Sequence, residues 1–134
     1  TGPAASPLAG RRLLVVDDSA DSAESFGLLL ELTGAKVRTA ASGALALQAL
    51  DDEPCDVLIS DVSMPGMSGL QLIQTLRQRA GGGDLVALAC SGYSRAQDEA
   101  DAIEAGFDAL IPKPASLDHV EQVVLGLFQR RSAK

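Results

Sequence analysis

The sequence predicts an α/β protein in which a parallel sheet is covered by helices on both faces. Segments with strand character alternate strictly with segments of helical periodicity, giving five strand–helix units along the chain. Several of the predicted strands are apolar throughout, which is typical of strands buried on both faces of a parallel sheet. Alternation of this kind indicates right-handed crossovers between parallel strands.

The first two units begin with residues 13–16, an apolar run that predicts a buried strand. Residues 19–34 predict a helix with side chains at helical spacing, namely Ala23, Phe26, Leu29, Leu30 and Thr33. Gly34 stands where a helix end favours a residue that tolerates positive φ. In residues 35–40, Val37 and Thr39 alternate with the basic Lys36 and Arg38, which predicts a half-exposed edge strand, and a short helix follows over residues 42–52.

The third unit combines a buried strand at residues 55–60 with a helix over residues 68–83. Ser68 and Gln71 have the spacing of a capping box, which fixes the start of this helix. The fourth unit has a buried strand at residues 85–90.

The fourth helix spans residues 94–106, with Ser94 and Gln97 again at capping-box spacing. Its apolar positions on one face are Ala96, Ala100 and Ile103. The last unit pairs a short strand at residues 108–111 with a helix over residues 116–131, which aligns Leu117, Val120, Val124 and Leu127.

The composition excludes several classes of protein. The 134 residues fit one domain, and their net charge of −7 argues against nucleic-acid binding, because no basic patch is available to neutralise phosphates. No apolar run reaches the length of about 18 residues needed to span a membrane. Cys55 and Cys90 lie inside apolar runs without metal-type spacing, so we expect buried thiols. The single histidine, His119, is expected to be a solvated helix residue.

The ends of the chain have a different composition from its middle. Residues 1–11 are small and rich in Pro and Gly, and they are predicted to be a linker or remnant. The predicted domain covers residues 12–130, and residues 131–134 are a predicted tail.

Polar side chains follow the predicted strands at one edge of the sheet. In order along the chain they are Asp17, Asp18, Asp61, Ser91 and Lys113. Ligands of open parallel sheets bind beyond the carboxyl ends of the strands, so this edge is the candidate site.

The chemistry of this set favours a metal ion and an anion. Clustered carboxylates repel one another unless a cation lies among them, and hard oxygen ligands favour Mg²⁺, with Mn²⁺ as the alternative. A carboxylate beside Mg²⁺ and the ammonium of Lys113 is a competent nucleophile toward phosphorus. Ser91 could donate a hydrogen bond to the transferring group.

Each of these residues has a simpler interpretation when it is taken alone. Asp17 and Asp18 would cap the first helix, and Asp61 would begin a turn. Ser91 and Lys113 would be an ordinary loop serine and a surface lysine. Their joint placement at successive strand ends favours the functional interpretation.

Four segments together resemble the receiver domain of two-component response regulators. They are VVDDSAD (15–21), ISDVSMPGMSGLQL (59–72), CSGYS (90–94) and AGFDALIPKP (105–114), within a resemblance that covers residues 12–130. The resemblance implies a doubly wound (βα)5 flavodoxin-like three-layer sandwich with strand order 2-1-3-4-5.

The resemblance also implies a role for each site residue. Asp61 would be the phosphoacceptor, and Lys113 would contact the phosphoryl group. The resemblance also implies a cis Lys113–Pro114 bond, a geometry that X-Pro bonds permit at modest cost. Ser91 would be the switch hydroxyl. The implied Mg²⁺ ligands are the side chains of Asp18 and Asp61, the backbone carbonyl of Ser63, and Asp17 through water.

One position departs from the family pattern. Many members carry Tyr or Phe three residues before the lysine, where this chain has Leu110. A leucine cannot present the same ring or hydroxyl, so we expect the aromatic switch, and with it the conformational output, to differ from the family pattern. The phosphorylation chemistry does not depend on Leu110. Tyr93, two residues after Ser91, would partly cover the site.

The implied partner is a histidine kinase or a histidine phosphotransfer domain. The expected context is the receiver of a hybrid histidine kinase, either cytoplasmic or the cytoplasmic part of a membrane sensor, and a stand-alone response regulator is the alternative. The domain would catalyse only its own phosphorylation and dephosphorylation. Two further alternatives are a pseudo-receiver that is not phosphorylated and a phosphatase that uses Asp17 as nucleophile, although DDSAD does not fit the Asp-x-Asp-Gly pattern of the latter.

Overall fold

The computed structural model describes residues 8–64, 66–79, 85–92, 96–112 and 116–132, with side chains as far as residue 129. The strands are Arg12–Val16 (β1), Lys36–Ala40 (β2), Val57–Asp61 (β3), Val86–Ser91 (β4) and Ala109–Pro112 (β5). The helices are Ala20–Glu31 (α1), Gly43–Asp52 (α2), Gly69–Arg77 (α3), Ala96–Ala105 (α4) and Leu117–Ser132 (α5).

The strands form one parallel sheet in the order β2-β1-β3-β4-β5. The predicted fold class and strand order are therefore confirmed. Helix α5 continues to Ser132, into the segment predicted as a tail.

Two hydrophobic clusters cover the two faces of the sheet. Because side chains alternate along a strand, Val57 and Ile59 of β3 face one cluster while Leu58 faces the other. The first cluster contains buried residues of α1 and α5, and the second contains those of α2, α3 and α4. The molecule is thus a three-layer sandwich. None of the helices in the described part of the chain is long and apolar enough to cross a membrane.

The predicted edge strand and capping box are both present. Strand β2 lies at the edge of the sheet, and Arg38 donates from its guanidinium to the carbonyls of Ala49 and Glu53 at the end of α2. Ser68 caps α3, with reciprocal hydrogen bonds to Gln71. The second predicted cap, Ser94, lies outside the described residues.

Helix α4 presents a different face to the core from the one that the sequence favoured. Ala102 is buried, whereas Ala96 and Ala100 are exposed and Ile103 is 47% exposed. Small alanines occur on several sides of this helix, so apolar spacing alone does not determine its orientation. In α5, by contrast, the predicted stripe does pack inward, with Val120 and Val124 fully buried.

The packed unit begins before β1, within the segment predicted as a linker. Leu8 is fully buried in the first cluster, and the Gly10 N–H donates to the Gly34 carbonyl at 3.0 Å. The guanidinium carbon of Arg11 lies 3.6 Å from the centroid of the Phe128 ring in α5. A single buried leucine in a Pro/Gly-rich segment gives too short a pattern to be recognised from sequence.

Two arginine–aspartate pairs tie loops to the sheet. At the amino ends of β1 and β3, the Asp56 carboxylate accepts from the Arg12 backbone N–H at 2.8 Å and pairs with the Arg12 guanidinium at 3.4 Å. Near the amino ends of β4 and β5, Arg77 donates to the carbonyls of Gly106 and Leu85 and pairs with Asp108 at 3.1 Å. Both pairs lie away from the carboxyl ends of β1 and β3.

Candidate functional site

The carboxyl ends of β1 and β3 meet at the point where the strand order reverses. Crevices at such points are where open α/β sheets bind ligands. Asp17 directly follows β1, and Asp61 is the last residue of β3. Asp17, Asp18 and Asp61 each place a carboxylate oxygen within 4.8 Å of the others. The structure therefore brings together the three acids predicted for the site.

Asp17 is held by the start of α1. Its carboxylate accepts the Ser19 N–H at 2.9 Å, and its own backbone N–H donates to Ala40 at the end of β2. Ser19 in turn caps α1, because its hydroxyl accepts the Ser22 N–H. The helix cap is thus Ser19, not Asp17 or Asp18, which leaves both acids at the crevice. Three successive cap-forming residues precede the helix, and only the backbone geometry distinguishes them.

Asp61 lies deeper than the other two acids, with 9% of its surface exposed. The Ser63 N–H donates to its Oδ1 at 3.3 Å. The next residue, Val62, is anchored by a hydrogen bond from its N–H to the Cys90 carbonyl of β4 at 3.1 Å. The carboxylate therefore projects from the end of β3, and the loop that follows is fixed to the sheet at its first residue.

The loop after Asp61 needs glycine at two positions. Gly66 has a φ of +77°, a conformation that residues with a Cβ rarely adopt. A Cβ on Gly69 would overlap the Asp61 carbonyl oxygen and lie 2.9 Å from the Val62 Cα. Gly69 thus allows α3 to begin directly against the strand that carries Asp61. Pro65, directly before Gly66, lies outside the described residues.

Ser91 ends β4 at the same edge of the sheet and is 8% exposed. It is in register with Pro112, the last residue of β5. Lys113 follows immediately in sequence but, like Tyr93, lies outside the described residues, so their roles stay predictions. Ser63 is described, but the role of its carbonyl as a metal ligand also stays a prediction.

Leu110 is half-buried and packs against the second hydrophobic cluster, beside residues of α3 and α4. Its side chain is therefore part of the core on the helix α4 side. Leu110 belongs to the packing of the sheet and not to the acidic crevice.

The donor set suits a hard divalent cation. Three carboxylates provide the oxygen ligands that Mg²⁺ prefers, and Asp18 is exposed to water, which Mg²⁺ usually retains. Two oxygens bound directly at about 2.1 Å lie at most about 4.2 Å apart. The three acids, each with a carboxylate oxygen within 4.8 Å of the others, lie near this spacing.

A cavity of 510 Å³ adjoins the acids on the α1 face of the sheet. Sequence reasoning did not predict it. Its lining residues are Val15, Val16, Asp17, Ser22, Ser25, Phe26, Leu29, Ile59, Asp61 and Cys90. The polar end thus coincides with the crevice, and the remaining wall is largely apolar.

Fold and site together define a doubly wound α/β protein with an aspartate cluster at its topological switch point. The chain belongs to the response regulator receiver domain family, whose sequence model matches residues 13–125. It is accordingly a receiver domain of two-component signalling, as the sequence motifs predicted.

Individual relatives support this membership. The chain is 38% identical over 107 residues to an uncharacterized 14.6 kDa protein of Leptolyngbya boryana, covering 80% of this chain and 82% of that protein. It is 36% identical over 117 residues to the sensor histidine kinase GacS of Pseudomonas protegens, covering 85% of this chain but 13% of GacS. The chemotaxis protein CheY4 of Vibrio cholerae superposes with a TM-score of 0.78 at 27% identity, covering 91% of this chain and 98% of CheY4.

Proposed function

We propose that Asp61 is a phosphoacceptor and that the domain takes a phosphoryl group from a phosphohistidine on a partner protein. The observation that carries the proposal is the cluster of Asp17, Asp18 and Asp61 at the switch point of a receiver fold. The buried position of Asp61 and its anchoring through Val62 hold the nucleophile at the crevice.

In the proposed step a carboxylate oxygen of Asp61 forms a bond to phosphorus. The phosphorus–nitrogen bond to the partner's imidazole breaks, and the nitrogen keeps the bonding electron pair and takes a proton from solvent. Bound Mg²⁺, or Mn²⁺, would neutralise charge on the phosphoryl oxygens. Its proposed ligands are Asp18, Asp61 and the Ser63 carbonyl, with Asp17 acting through water.

Residues around the acids would complete the reaction and the response. Lys113 would contact the phosphoryl group, and Ser91 would move onto it as the switch hydroxyl. Tyr93 would cover the site, and Leu110 would replace the aromatic switch residue with an aliphatic side chain in the core. By itself the domain would catalyse only the gain and loss of its own phosphoryl group.

The protein that contains this domain has two candidate architectures. The similarity to a segment of a sensor histidine kinase supports a receiver module of a hybrid kinase, working in the cytoplasm with a kinase or histidine phosphotransfer domain. The alternative, a stand-alone response regulator, is supported by the similarity to a protein of 14.6 kDa, of which this chain covers 82%.

Phosphorylation with a small donor tests the proposal. Incubation with Mg²⁺ and acetyl phosphate should add one phosphate to the wild-type chain, observed by intact-protein mass spectrometry, and none to Asp61→Asn. Asp51→Asn is the matched control, because Asp51 is an exposed aspartate paired with Arg79. Labelling of Asp61→Asn at the wild-type level would exclude Asp61 as the acceptor. Absence of labelling in the wild type would favour a pseudo-receiver.

A further inference from the structure

The peptide group that follows Asp61 is held at both its carbonyl and its N–H. The carbonyl oxygen accepts from the Ser60 hydroxyl at 2.9 Å, and the N–H, which belongs to Val62, donates to the Cys90 carbonyl at 3.1 Å. We propose that Ser60 is a positioning residue, whose hydroxyl fixes the peptide after Asp61 and thereby the placement of the Asp61 carboxylate. This inference rests on the proposed role of Asp61 as the phosphoacceptor and adds a residue to that site.

Ser60 lies where packing alone would favour an apolar side chain. It is fully buried, and its neighbours in register on the adjacent strands, Val16 and Ala89, both belong to the second hydrophobic cluster. Burying a hydroxyl among such side chains is unfavourable unless the hydroxyl is hydrogen-bonded. The bond to the Asp61 carbonyl offsets that cost, but the net contribution of such a bond to stability is small. A role in orienting the next residue therefore explains the serine better than a role in stability.

The hydrogen bond from Ser60 acts one residue away from the carboxylate. Asp61 is the last residue of β3, so the peptide on its carboxyl side is oriented by local contacts, which include the close approach of Gly69. Two residues further on, the Ser63 N–H donates to the Asp61 carboxylate at 3.3 Å. A tilt of the peptide after loss of the Ser60 donor would move this N–H relative to the carboxylate. Small displacements of a reacting group are costly to rate.

Labelling kinetics test the proposal. Ser60→Ala removes only a hydroxyl oxygen from an apolar environment, so the variant should fold. With Mg²⁺ present, and at a temperature where every variant is folded, its rate of labelling by acetyl phosphate should fall by about three- to tenfold. An Asp61→Asn variant that labels like the wild type would overturn the proposed function, and the positioning role with it. A wild-type rate in Ser60→Ala, with Asp61→Asn unlabelled, would overturn the positioning role alone.

Leu58→Val is the matched control for lowered stability. Leu58 lies two residues before Ser60 in the same strand, is fully buried, and packs in the second hydrophobic cluster. Shortening its side chain weakens the core without removing a hydrogen bond, so this variant should be labelled at the wild-type rate. A loss of rate equal to that of Ser60→Ala would refute the positioning role, because lowered stability would then explain both results.

Amide hydrogen exchange provides a measurement that does not require phosphorylation. The Val62 N–H belongs to the peptide that Ser60 holds, so Ser60→Ala should accelerate its exchange by about tenfold relative to a distant amide. The Val86 N–H is that internal reference, because it donates to the Asp56 carbonyl at 3.2 Å at the amino ends of β3 and β4. Equal acceleration at both amides would show that Ser60 contributes only to overall stability and would contradict the proposal.

Discussion

Helix α3 begins directly against the carbonyl oxygen of Asp61, with only the Cα hydrogens of Gly69 between the two backbones. The Gly69 N–H donates to the Val62 carbonyl at 2.9 Å, and Ser68 caps the helix from the preceding position. The position of the candidate nucleophile is therefore coupled to the start of this helix.

We expect Gly69→Ala to destabilise the protein by about 1–3 kcal/mol, because the added methyl group must displace backbone atoms of residues 61–62. Urea unfolding followed by circular dichroism measures the change. Gly126→Ala in α5 is the control: a Cβ there meets no atom within 4 Å, so alanine should stabilise by about 0.5–1 kcal/mol. If both variants had the same stability, the close approach at Gly69 would have no energetic consequence.

Leu110 should matter for packing and not for phosphorylation. Leu110→Ala is expected to lower the free energy of unfolding by about 1–2 kcal/mol, less than for a fully buried leucine because the side chain is half-exposed. Leu125→Ala, on an exposed part of α5, should change stability by less than about 0.5 kcal/mol. The rate of labelling by acetyl phosphate should be the same in both variants, and a selective loss in Leu110→Ala would assign this residue to the reaction.

The pair of Arg12 and Asp56 predicts a pH dependence of stability. Partial burial opposes ionisation of Asp56, but hydrogen bonds from the Arg12 backbone and guanidinium outweigh it and lower the pKa of the carboxyl group. A depressed folded-state pKa stabilises the protein above the unfolded value of about 3.9, and this contribution is lost as the pH falls further.

The difference in urea midpoint between wild type and Asp56→Asn should therefore be constant near neutral pH and decrease below about pH 4. Asp51→Asn, at an exposed ion pair, controls for the general loss of carboxylate charge in acid. A difference that stays unchanged down to pH 2 would show that the carboxylate form of Asp56 does not stabilise the fold.

Arg77 and Arg79 provide a comparison between a connecting and a peripheral ion pair. Arg77 satisfies two loop carbonyls and Asp108, whose carboxylate also accepts the Ala87 N–H of β4. We expect Arg77→Met to cost about 2–4 kcal/mol, since these acceptors lose a charged partner. Arg79→Met removes only the exposed pair with Asp51 and should cost at most about 1 kcal/mol. Equal losses in thermal unfolding would contradict this ranking.

Much of the architecture could be predicted because the local signals agree with the fold. The apolar runs of β3 and β4 indicate burial on both faces, and Ser68 with Gln71 identifies the start of α3. The strand order could not be predicted in this way, because local spacing does not determine it. Its prediction came from the family resemblance. The three acids could be located because each belongs to a strand end.

Other features depend on geometry that no local pattern specifies. The cap of α1 could have been any of three successive polar residues, and only backbone conformation selects Ser19. The orientation of α4 follows from packing at Ala102 and not from its scattered alanines. The cavity beside Asp61 arises between α1 and the sheet, so residues far apart in sequence define it.

The contact between Arg11 and Phe128 places the chain's entry into β1 at the opposite end of the sheet from Asp61. Strand β1 has five residues and therefore separates these two ends by about 16 Å. A segment joined through Leu8–Arg11 would therefore be attached at the edge of the sheet opposite to the acidic crevice.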